Sequence, residues 1–168
     1  MDVYILRHGI AEPRGGPGME SDDERPLSKD GIEKMKKAAK GMRAVGLTFD
    51  AVLTSPLLRA WQTAEIVCSS LGLSKPTECR ELGHKYSAAA LIRQLLRLPP
   101  ASSVLLVGHE PDQSGFISEL LAANDDVNVS FRKGALCLLI FNGHPSRGQG
   151  QLRWLLLNKH LGAIGERS

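Results

Sequence analysis

The sequence predicts a layered α/β fold built on a mostly parallel sheet. Two observations carry this. Apolar, strand-like runs alternate with amphipathic segments in the order β-α-β-α-β-α-β-α-β-β, the pattern of parallel strands joined by helical crossovers. One run, "SSVLLVGH" (102–109), is continuously apolar, as in a strand covered on both faces. The 168 residues, 42% hydrophobic and 23% charged, fit a single domain over residues 1–168 with a sizeable core.

The elements follow in order. "DVYILR" (2–7) is a short apolar strand. "GGPGMESDDERP" (15–26) is a loop rich in glycine, proline and acid, mobile on composition. Ser28 is positioned to cap a helix over about 29–45, whose apolar face carries Ile32, Met35, Ala39 and Met42 at helical spacing. "FDAVLTS" (49–55) is a second strand. A helix over 55–72 follows, with Ser55 as N-cap, Pro56 at the first helical position and Gly72 as C-cap.

"PTECR" (76–80) is a weak strand. "AAALIRQLLRL" (88–98) is helical until Pro99 and Pro100 stop it. Beyond the strand at 102–109, "DQSGFISELLAA" (112–123) is helical. "GALCLLIFN" (134–142) and "QLRWLLLN" (151–158) form a closing pair of strands. Residues 159–168 receive no assignment.

Composition bounds the function. A net charge of +3 without a dense Lys/Arg block gives no reason to expect nucleic acid, and fits an anionic substrate only weakly. Cys68, Cys79 and Cys137 are odd in number, widely spaced and outside any metal-ligand spacing, which points to a reducing, cytoplasmic setting. The first strand begins within three residues of Met1, so no signal peptide is expected. Runs such as "ALCLLIF" are too short to cross a bilayer, so no membrane partner is expected.

Three predicted strands end in polar residues. The first ends at Arg7-His8-Gly9. The second ends at Thr54-Ser55-Pro56, with Arg59 one turn into the next helix. The fourth ends at Gly108-His109-Glu110-Pro111. Ligands of such sheets bind beyond the carboxyl ends of the strands. Parallel strands therefore gather Arg7, His8, Arg59 and His109 at one edge.

Taken singly, His8 reads as a turn-capping histidine, His109 as a hydrogen-bonded strand end, and Arg7 and Arg59 as ion pairs. Together they crowd like charges, at about 1 kcal/mol or more per pair at an effective dielectric near 20. An anion relieves that cost. Arginine forks match phosphate oxygens, and a helix N-terminus adds donors. No Walker-type loop or carboxylate trio is present, so neither ATP, metal nor another cofactor is expected.

"LRHG", "RPLS", "TSPLLRAWQTA" and "VGHEP", in that order over about residues 3 to 112, resemble the histidine phosphatase superfamily. The short length, the "RHG.A" form and "RPL" leading into the first helix resemble its small SixA-type branch of phosphohistidine phosphatases. The resemblance implies a three-layer α/β/α, phosphoglycerate mutase-like sandwich. It implies His8 as a nucleophile that forms a phosphohistidine, with Arg7, Arg59 and a protonated His109 as the phosphate pocket. Arg25 of "RPLS" is similar to a further phosphate-contacting arginine, although the acidic run "ESDDE" before it offers an ordinary ion pair instead.

In larger relatives a carboxylate protonates the leaving alcohol. Glu81 is the candidate here, or else a plain surface glutamate. The implied substrate is a phosphorylated protein, for example a histidine-containing phosphotransfer domain in signal transduction, with the loop 14–24 available to contact it. Two alternatives stand beside this: a phosphomonoesterase for a small metabolite, and a non-catalytic phosphate-binding module. Trp61 reads as packing or as a flank of the cleft. His84, His144 and His160 read as surface residues.

Overall fold

The computed structural model describes residues 1–15 and 21–167. Six strands form one sheet in the order β3-β2-β4-β1-β5-β6: β1 (Asp2–Arg7), β2 (Ala51–Thr54), β3 (Thr77–Glu78), β4 (Ser103–Gly108), β5 (Leu136–Ile140) and β6 (Gln151–Leu156). The first four are mutually parallel. β5 runs antiparallel to β1, and β6 antiparallel to β5. Among the described residues five helices cover the sheet: α1 (Lys29–Ala44), α2 (Leu58–Leu71), α3 (Ala88–Leu95), α4 (Asp112–Ala122) and α5 (Asn158–Glu166).

The two-residue alternation of the strands sorts the core into two halves. Val3 and Ile5 of β1, with Val104 and Leu106 of β4, pack against Leu91 and Leu95 of α3 and Phe116, Ile117 and Leu120 of α4. Tyr4 and Leu6, with Leu105 and Val107, face Met35 and Met42 of α1, Ala64 and Val67 of α2, and Leu161 of α5. The result is the three-layer α/β/α sandwich that the sequence implies, with β1 and β4 buried on both faces.

Local signals act as expected at several ends. Ser28 accepts a hydrogen bond from Gly31 N at 3.0 Å, capping α1. Gly72 closes α2 at φ 68°, where glycine carries no Cβ penalty. The start of α2 differs from expectation. Ser55 is not its N-cap, and the helix begins at Leu58. The Ser55 hydroxyl instead accepts from Leu57 N at 3.2 Å and meets His109, so 55–57 forms a tight turn between β2 and α2. α3 stops at Leu95, three residues before its expected end.

α5 was not legible in the sequence. Gly162 and Gly165 lower its intrinsic helix propensity, and docking on α1 supplies what propensity lacks. The two helices approach backbone to backbone: a Cβ on Gly41 would lie 1.9 Å from Leu161 O, and one on Gly165 would lie 2.5 Å from Lys37 O. Among the described residues no helix is long and apolar enough to cross a membrane. All three cysteines are buried free thiols.

Candidate active site

The sheet brings Arg7, His8, Arg59 and His109 together at the carboxyl ends of β1, β2 and β4. The His8 backbone N–H donates to Gly108 O at 3.1 Å, which fixes the two strand ends side by side. The His8 and His109 rings are 5.0 Å apart, centroid to centroid. Both histidines and Arg59 are buried.

His8 has one assignable tautomer. Nδ1 lies 2.7 Å from Gly9 O. A carbonyl only accepts, so Nδ1 carries the proton and Nε2 keeps its lone pair. Burial pushes the His8 pKa down to about 3. The Gly9 bond opposes this, and the charges of Arg59, Arg7 and Lys133 add to it. Gly9 is pinned in turn, since its N–H donates to Thr63 Oγ1 at 3.1 Å while the Thr63 hydroxyl donates to Arg59 O at 2.7 Å. Thr63 thus ties the turn after β1 to the first turns of α2.

His109 Nε2 sits 2.8 Å from Ser55 Oγ, and its Nδ1 is buried without a hydrogen-bond partner among the described residues. Burial pushes its pKa down to about 3 as well, with His8, Arg59 and His84 acting in the same direction. These shifts favour a neutral His109 in the free protein, against the protonated form that the resemblance implies for the phosphate pocket. His84 is exposed, as expected, and pairs with Asp23.

The arginines are held at their backs. Arg7 Nη1 donates to Phe131 O at 2.7 Å. Arg59 Nη1 donates to Asp22 O at 2.8 Å, and Nη2 lies 3.1 Å from Asp22 Oδ2. Arg25 Nε lies 2.9 Å from Asp22 Oδ1, and Arg25 Nη1 donates to Glu12 O at 3.1 Å. The Nε atoms of Arg7 and Arg59 are buried without partners among the described residues. Such donors are costly to leave unmet, and an oxyanion would meet them.

Arg25 takes the ion pair that the acidic run offers, and the shared Asp22 carboxylate sets it beside Arg59. The sequence reading missed Asp22, which opens a row of three acids, Asp22 to Glu24, without marking itself. Burial alone would raise its pKa, but Arg59, Arg25 and Arg14 outweigh that and hold it below the usual carboxylate range. The reading also missed Lys133, whose charge acts on His8 from the loop before β5.

Glu81 lies on a short 3-10 turn, Arg80–Leu82, where its carboxylate accepts from Cys79 Sγ at 3.4 Å and Gln94 Nε2 at 3.3 Å. A bond to its own backbone N–H lowers its pKa. Burial opposes this, and Cys79, Gln94 and Arg97 lower it further. Of the loop 14–24 read as a partner contact, residues 16–20 lie outside those described. Its far end is held by Asp22.

Comparison with known proteins decides the family. A profile of the histidine phosphatase superfamily (branch 1) matches residues 3–83. The phosphohistidine phosphatase SixA of Escherichia coli is 31% identical over 127 residues, covering 71% of this chain and 74% of that protein. This chain belongs to the histidine phosphatase superfamily. A Picosynechococcus protein of unassigned function is 33% identical over 138 residues, covering 81% of this chain and 82% of its own. The structure of the protein histidine phosphatase SixA complexed with tungstate superposes at a TM-score of 0.77 with 27% identity, over 96% of this chain and 99% of that one. Within this superfamily fold, the strand-end cluster around His8 is the candidate active site.

Proposed function

We propose that this member of the superfamily is a metal-independent phosphatase that removes the phosphoryl group from phosphohistidine in a protein. The observation that carries the proposal is the His8 tautomer. Nδ1–H is committed to Gly9 O at 2.7 Å, which leaves Nε2 as a neutral nucleophile in a basic, water-poor pocket.

The steps follow from the chain's own groups. The Nε2 lone pair of His8 forms a bond to phosphorus as the substrate's N–P bond breaks, and the electron pair leaves with the substrate imidazole. An imidazole protonated on its far nitrogen departs neutral. The Gly9 carbonyl supports the positive charge that develops on the His8 ring. Arg7, Arg59 and Arg25 meet the charge on the phosphoryl oxygens, with the unpartnered Nε atoms of Arg7 and Arg59 as their free donors.

Ser55 Oγ accepts from Leu57 N, and in this reading its hydroxyl donates to the neutral Nε2 of His109. That leaves Nδ1–H of His109 as a further donor to the phosphoryl group. A water then attacks phosphorus, the N–P bond on His8 breaks, the pair returns to Nε2, and inorganic phosphate leaves with the protons of the water. Charge stabilisation rests on protein cations throughout.

Glu81 has no part in this reading. It is held ionised and occupied by Cys79 and Gln94, and an imidazole leaving group needs no dedicated acid. The resemblance to a phosphohistidine phosphatase and to a structure complexed with tungstate, a tetrahedral oxyanion as phosphate is, supports the substrate class. Three unpaired thiols support a reducing, cytoplasmic compartment, where the phosphoprotein would be a signalling protein such as a histidine-containing phosphotransfer domain.

The test is phosphate release, in the presence of chelator, from a phosphohistidine protein and from a panel of small phosphomonoesters, with His8→Ala as control. The expected result is release from the phosphohistidine protein that His8→Ala abolishes. Faster turnover of one monoester would replace this reading with a metabolite phosphatase.

A further inference from the structure

Beside the nucleophile lies a second pocket of about 200 Å³. Gly9, the residue that follows His8, lines it together with Ile10 and Met35. Three exposed lysines from three separate segments line it too: Lys34 of α1, Lys133 of the loop before β5, and Lys159 of α5. Lys34 is paired to Asp30 at 2.7 Å. Lys133 and Lys159 have no ion pair among the described residues. The fold thus gathers unneutralised cations against an apolar lining, one residue from the catalytic position.

We propose that this pocket is a subsite for an acidic side chain, aspartate or glutamate, that flanks the phosphohistidine in the substrate protein. The proposal rests on the phosphohistidine reading and sharpens it. The division of cations supports it. Planar arginine forks, suited to a phosphoryl group, stand at His8, whereas the neighbouring pocket presents only lysines, point charges on flexible stems. Two unpaired ammonium groups suit one or two carboxylates.

The apolar lining of Ile10 and Met35 suits the methylene stem of such a side chain. Lys133 is also strained electrostatically. Partial burial pulls its pKa down, and repulsion from Arg7, Arg25 and Arg59 adds to that. A carboxylate placed beside Lys133 relieves this repulsion, and it does so only when a substrate is seated next to the arginines.

The experiment uses two chemically phosphorylated peptides with a central phosphohistidine. One has glutamates within two residues on either side, and the other has glutamines at the same positions. Release is followed with the full chain, and His8→Ala sets the background. The expected result is a kcat/KM at least fivefold higher for the glutamate peptide. That ratio should fall to within twofold in Lys133→Ala/Lys159→Ala, and should be kept in Lys133→Arg/Lys159→Arg.

Equal His8-dependent rates on both peptides would overturn the subsite and leave the phosphohistidine reading standing. So would a preference that survives the double alanine variant. Hydrolysis of neither peptide, alongside turnover of a small phosphomonoester, would overturn both.

Discussion

Asp22 grips the Arg59 guanidinium twice, its carbonyl accepting from Nη1 at 2.8 Å and its Oδ2 standing 3.1 Å from Nη2. The same carboxylate holds Arg25 Nε at 2.9 Å. Two guanidiniums that would repel are thereby fixed side by side, and Arg59 Nε is left without a partner. Asp22 is thus placed to position both arginines.

Asp22→Asn keeps the side-chain shape and removes the charge. It should raise KM for phosphohistidine about three- to tenfold, roughly 1 kcal/mol, while kcat changes less. That is the order expected for a charge-assisted network partly open to solvent. Steady-state kinetics of the variant check this. An unchanged KM would remove the positioning role.

Acid should weaken the fold through the two site histidines. Their pKa values in the folded protein are about 3, against an ordinary value of 6.5. Between those limits the unfolded chain takes up protons that the folded one refuses, so stability is full above pH 6.5 and falls as pH drops toward 3. The slope is at most about 1.4 kcal/mol per pH unit for each histidine. Urea unfolding at pH 7 and pH 5 should show the loss, and His109→Gln should reduce it. Equal stability at the two pH values in the parent protein would refute the assignment.

Removing the Glu81 charge should matter little. Glu81→Gln is expected to hydrolyse phosphoramidates and alkyl phosphates within about twofold of the parent. A selective slowing on alkyl phosphates would restore Glu81 as a proton donor, because an alkoxide needs a proton and an imidazole does not.

The close approach of α1 and α5 predicts a steep cost for one methyl group. Gly41→Ala places a Cβ 1.9 Å from Leu161 O, against backbone that no rotamer change can move. The helices must separate, at about 1–3 kcal/mol or more. Thermal unfolding should show a fall in Tm of several degrees. Gly46→Ala would not serve as a control, because that residue has φ +74° and alanine is strained there whatever the space.

Much of the site is legible from the chain alone because its signals are local. A strand end followed by Arg7-His8-Gly9, another followed by Ser55 and Arg59, and a third followed by His109 need only a parallel sheet to meet. The alternation of elements predicts that sheet. The two-sided burial of β1 and β4 follows from their unbroken apolar runs.

The rest depended on contacts distant in sequence. Asp22 meets Arg59 across 37 positions, and Ser55 meets His109 across 54. No local rule tells Asp22 from its acidic neighbours, or turns Ser55 from helix cap to histidine partner. α5, weak in propensity, exists because α1 receives it, and Lys159 then joins Lys34 and Lys133 in one pocket. By itself, the sequence determined which chemistry-bearing groups stand at the strand ends, because period and punctuation are properties of short stretches. Only the tertiary structure decided which charges face one another, and hence which tautomers, ionisation states and free donors the site presents, because electrostatic energy depends on distance in space and not along the chain.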